Sequence, residues 1–277
     1  TGGDRMPIGL LGFMMRWKVL EAEKITEKAD GLIQEAKKIC SEASEGLRAA
    51  ADAAQRAIDE FAACAVTINR TVITQWSSRV KELRSCSGFS DADREAQVAI
   101  VRAIAQACAE DADALRGKSP KAPSGFLDML DVLDPRRWAT PPMAPIIPHD
   151  EHLFDGYRLQ RAQSYLKGAE EYLEQAQAWA RVLKRDEQTL RRIESSVSQG
   201  KDVLSALAGY VTELTLNLMH SSERSDSVTI ERCMTQASRA VKAIADIISA
   251  PMVDESGVTD AFVTAVLRGQ VILEETK

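Results

Sequence analysis

Two of the three histidines stand three residues apart, in His149-Asp-Glu-His152. On a helix His149 and His152 would share one face with acidic neighbours, the donor types a divalent cation takes. The same residues read equally as a helix start, with Asp150 as N-cap and Glu151 in the first turn. No third ligand stands at a recognisable spacing, so the expectation is no bound metal and no cofactor. The string Ala112-Asp-Ala-Leu-Arg-Gly117-Lys118-Ser119 loosely matches a phosphate-binding loop. That loop needs a strand before it and a helix after it; here a helical pattern precedes and Pro120 follows at once, so Gly117 reads as a helix C-terminus. The sequence has no G-x-S-x-G, H-E-x-x-H or glycine-rich dinucleotide motif. Five cysteines (Cys40, Cys64, Cys86, Cys108 and Cys233) form no close pair. Most fall in helical patterns as small hydrophobes, which suggests reduced thiols and a cytoplasmic setting.

Two further groups could make contacts. Arg181, Lys184, Arg185, Arg191 and Arg192 cluster near one helical face and would suit a phosphate or lipid headgroup. In an antiparallel hairpin, however, residues near 185 lie opposite residues near 52. Glu42, Glu45, Asp52, Asp59 and Glu60 would then pair with them across the seam. The second group is the apolar start, in which Ile8, Leu10, Leu11, Phe13, Met14 and Met15 are followed by Arg16, Trp17 and Lys18 as interfacial residues would be. It reads as a membrane-inserting or partner-binding tip, or as a helix end buried against the C-terminal helices. It is shorter than the roughly 18 apolar residues of a spanning helix. The chain opens on Thr1 rather than methionine, so this run could be the tail of a longer hydrophobic segment.

The elements that carry these groups are helices. Hydrophobic residues make up 45% of the 277, aromatics only 5%, and alanine is dense, which favours helix packed closely on helix. From about Leu10 to Leu83 apolar residues recur at steps of three or four, among them Ala29, Ala36, Leu47, Phe61, Ile68, Val72, Trp76 and Val80. About 70 residues of helix would reach on the order of 100 Å. Gly31 and Gly46 weaken this helix without ending it. A shorter helix is expected to about Leu115, then a loop and a proline-rich connector over 140–148. A second long helix follows to about His220, with a seven-residue step from Leu183 to Leu190 and soft points at Gly200 and Gly209. Two shorter helices, about Ser227–Ser249 and Thr259–Glu274, are separated by Pro251 and Gly257.

The expected fold is therefore all-α, a single elongated domain. Its centre would be an antiparallel long-helix hairpin, a coiled-coil-like stalk with shorter helices at both ends; residues 86–150 would cap one end. A net charge of −6 argues against nucleic acid and against adhesion to anionic lipid by charge alone. The leading functional expectation is a non-catalytic, oligomeric interaction or scaffold protein that binds a protein partner or itself through its stalk. The alternative is a membrane-active protein using the apolar start. In general architecture the chain is similar to α-helical pore-forming toxins and to the stalks of dynamin-like proteins, a likeness of shape. An enzyme with a site between helices is the third reading.

Overall fold

The computed structural model describes residues 8–85, 95–115, 141–146, 155–223, 227–254 and 257–275. Among the described residues it is all-α apart from one two-stranded hairpin. Helix α1 (Ile8–Ile68) runs into a π turn (Asn69–Ile73) and then α2 (Thr74–Ser85); α3 (Glu95–Leu115) follows. The second long helix, α4 (Asp155–Glu223), is 69 residues long. After it come α5 (Ser227–Ser249), strands β1 (Val253–Asp254) and β2 (Gly257–Val258), and α6 (Asp260–Glu274). The chain divides into two compact units, residues 1–49 with 132–188 and residues 50–131 with 189–277.

In the first unit α1 and α4 pack through alanines. Ala29, Ala36, Ala169 and Ala176 are fully buried, joined by Ile33, Cys40 and Tyr172. Small side chains let two helices approach closely, and the seven-residue spacing on each keeps one narrow stripe in the seam. The connector lies along this pair. Ala144 packs on the alanine cluster, and Pro145 lies over Gly168, its Cβ 3.4 Å from where a side-chain Cβ there would be, an ordinary contact distance. Three prolines within 141–146 keep this stretch extended.

The second unit has a fuller core. Phe61 meets Phe262 edge to face, with centroids 5.5 Å apart. Helix α6 lies against α4 so closely that Gly200 faces the Phe262 ring and Gly269 faces Val203 and Leu207. Helix α3 packs on α2 and α5. The α5–α6 connection is built by three local devices. Val253 pairs with Val258 in the hairpin. Gly257 takes a φ of +127°, which a side chain would make costly. Thr259 Oγ1 accepts the amide of Phe262 at 3.1 Å and so caps α6.

The long helices pair as expected, but in the opposite direction. In the first unit Asp30 meets Tyr165, Lys28 meets Glu170, and Gly46 meets Glu187. In the second, Glu60 meets Lys201 and Cys64 meets Ser205, each pair 141 residues apart. From residues 28–30 to residue 46 the partners move from 165–170 to 187, and from 60 to 64 they move from 201 to 205, so the pairing in each unit is parallel; an antiparallel pair would keep the sum of the numbers constant. Parallel neighbours need a return path. Between Ser85 and Asp155 in sequence, the described residues are α3, in the second unit, and 141–146, in the first.

Candidate functional site

Parallel pairing puts the starts of α1 and α4 at the same end of the first unit. The offset that joins Gly46 to Glu187 makes Trp17 level with residue 158. Trp17, Leu20 and Tyr157 are 58%, 57% and 58% exposed, and on the connector Met143 and Ile146 are more exposed still. Large apolar side chains exposed in this way on a helix pair are left uncovered by the described residues. Arg16 and Lys18 flank Trp17 and are exposed. Among the described residues no helix is long and apolar enough to cross a membrane.

The sequence-derived contact residues divide into three groups. The backbone of Ile8, Leu10, Leu11, Phe13, Met14 and Met15 is helical; the side chains of these residues lie outside the described ones, and Trp17 is the member of the set whose exposure is defined. Residues 8–49 belong to the first unit, and α5 and α6 belong to the second. His149, His152 and the Gly117-Lys118-Ser119 string lie outside the described residues. Among the described residues no cluster of His, Cys, Asp and Glu could hold a metal ion.

Arg181, Lys184, Arg185, Arg191 and Arg192 are all exposed on α4. In the first unit the parallel offset sets 181–185 beside 40–44, and Glu187 fills the space left by Gly46, where an added Cβ would lie 3.1 Å from its carboxylate. The seven-residue step between Leu183 and Leu190 thus marks a place where a glycine admits a carboxylate to the seam. Arg181 Nε donates to its own helix, to the Gln177 carbonyl, at 3.3 Å.

Side-chain electrostatics along the seams follow local partners. Burial, then the hydrogen bond donated to Asp30 Oδ1 at 2.7 Å, push the Tyr165 hydroxyl up to about 12. Burial likewise raises Tyr172 and the Cys40 thiol. The hydrogen bond from Lys201, with its charge, lowers Glu60, and the same bond raises Lys201. Cys40, Cys108 and Cys233 are buried free thiols, and Cys64 is partly exposed.

The second unit carries a cleft of about 300 Å³ that sequence reading missed, between the π turn with α2 and the last turns of α4. Its walls include Val72, Gln75 and Arg79 on one side and Thr215, Leu216 and Met219 on the other. Leu20 and Tyr157 were missed too. Leu20 follows Trp17 by one helical step, a signal available in the sequence; nothing local places Tyr157 at the same end as Trp17. Comparison of the chain with protein-family models, curated proteins and solved structures gives no match.

Proposed function

We propose that this chain is a non-catalytic interaction protein that self-associates or binds a protein partner through its paired long helices, with the contact centred where both helices begin. The observation that supports this reading is the joint exposure of Trp17, Leu20 and Tyr157 at one end of the first unit. Tryptophan and tyrosine bury large area at low entropic cost and dominate binding surfaces. A second reading has a specific observation in its favour. Trp17 is flanked by Arg16 and Lys18, the arrangement that settles at a membrane–water interface. On that reading the same end inserts shallowly into lipid.

One experiment separates them. The full chain and a Trp17→Ser/Leu20→Ser/Tyr157→Ser variant are compared by light scattering, and by flotation and dye leakage with neutral and anionic vesicles. An oligomer lost in the variant, without flotation, supports the protein contact. Flotation or leakage lost in the variant supports the lipid contact. Identical behaviour of the two proteins in every assay refutes the placement of function at this end.

A further inference from the structure

The π turn at Asn69–Ile73 has a local consequence. Apolar residues of α1 and α2 follow steps of three and four except between Ile68 and Ile73, which are both buried, at 6% and 0%. A five-residue step cannot keep one face in an α-helix, and widening one turn to π geometry absorbs the extra residue. Without it, Val72 would follow Ile68 into the core, as the spacing predicts. With it, Ile73 takes the core position and Val72 turns out to line the cleft. Such insertions are uncommon in helices and recur at functional sites. Here the extra residue sits at the wall of the cleft, which is independent of the apolar end discussed above.

The chemistry of the cleft is graded along the helices. Val72 and Thr212 stand at one end, Arg79 and Met219 at the other, with Leu216 between. The Thr212 and Thr215 hydroxyls donate to the carbonyls of Ala208 and Val211, at 2.9 and 2.7 Å. Their protons are therefore used, and they offer only lone pairs. Arg79 holds Glu82 through Nη1, which leaves the other N–H groups of its guanidinium without a protein acceptor among the described residues. A guanidinium with spare donors at one end of a trough whose apolar surface comes from Val72, Leu216 and Met219, and whose remaining walls are polar, fits a ligand with one anionic oxygen pair and a short hydrocarbon tail. Seven residues of helix separate Val72 from Arg79, a rise of about 10 Å, which an extended chain of roughly eight carbons spans.

We propose that this cleft binds a small amphiphilic carboxylate, with the headgroup on Arg79 and Gln75 and the chain over Leu216 and Val72. The probe is octanoate, titrated calorimetrically into the full chain, with octanol and octylammonium as controls. The expectation is saturable binding of one octanoate per chain with a Kd on the order of 1 mM, as suits about ten non-hydrogen atoms. Arg79→Gln should weaken it about tenfold, the effect of losing a charge-assisted pair. The Arg79–Glu82 pair is exposed, so this variant keeps its fold. Gln75→Trp fills the cleft from an exposed helical position and should abolish binding with helical content unchanged. Equal binding of octanol or octylammonium, an unchanged Kd in Arg79→Gln, or no saturable heat up to about 10 mM would overturn the proposal.

Discussion

Gly200 and Gly209 occupy the interior of the same helix, nine residues apart, and substitution by alanine should change stability in opposite directions. A glycine in a helix interior costs about 0.5–1 kcal/mol relative to alanine, chiefly through unfolded-state entropy, so both replacements begin with that gain. At Gly209 nothing lies within 4 Å of the added methyl, and the gain is kept. At Gly200 the methyl would lie 2.5 Å from Phe262 Cζ and 3.1 Å from Cε1. Ordinary contact is close to 4 Å, so the ring must move by about 1 Å or more. Phe262 is fully buried and held edge to face by Phe61, so it has no free direction. Overpacking of this kind costs about 1–3 kcal/mol. Gly200→Ala should therefore be net destabilising by about 1–2 kcal/mol, and Gly209→Ala stabilising by about 0.5–1 kcal/mol. Urea unfolding followed by circular dichroism reads this as midpoints moving in opposite directions at constant m-value. Phe262→Leu should recover part of the loss when added to Gly200→Ala, a coupling that a double-mutant cycle isolates. Equal upward shifts for the two glycine variants would mean that α6 does not lie on α4 as described.

The direction of helix pairing is open to a covalent test. Cys64 Sγ and Ser205 Oγ are 3.3 Å apart, so Ser205→Cys should form a disulfide with the native Cys64 under mild oxidation, seen as a mobility shift on a non-reducing gel. If unstrained, closing so long a loop should stabilise by about 4–5 kcal/mol; failure to bridge would contradict the parallel register. A pH test addresses Tyr165. Its folded pKa is raised from about 10 to about 12. Between those values the unfolded chain has lost the proton that the folded chain retains. The stability it contributes is therefore complete below pH 10 and is lost as pH rises towards 12. Urea midpoints measured across that window should fall less steeply in Tyr165→Phe than in the parent, with Tyr172 and Tyr210, both raised by burial, supplying the remaining slope. Identical slopes would show that Tyr165 is not linked to folding.

The amino-acid sequence determined the helices. Alanine density and steps of three and four located α1 and α4, and Pro251, Gly257 and the Thr259 cap bounded α5 and α6, because propensity and capping act within a few residues. It also placed Trp17 at an apolar helix start. It did not determine which way the long helices run past each other. A buried stripe is a pattern of spacings that reads the same in both directions, and a segment of 86–150 is long enough either to cap a hairpin or to lead the chain back. Only tertiary structure decided the direction, which is parallel in each unit, and set Pro145 beside Gly168 in the first and α3 on α2 and α5 in the second. That choice brings Tyr157 to the end that carries Trp17. It also separates Gly200, which α6 needs, from Gly209, which faces nothing. Val72 shows the same division: its spacing from Ile68 assigned it to the core, and the π turn gave that place to Ile73. Local sequence carries the energetics of turns and caps; which surface each stripe meets depends on residues more than a hundred positions away.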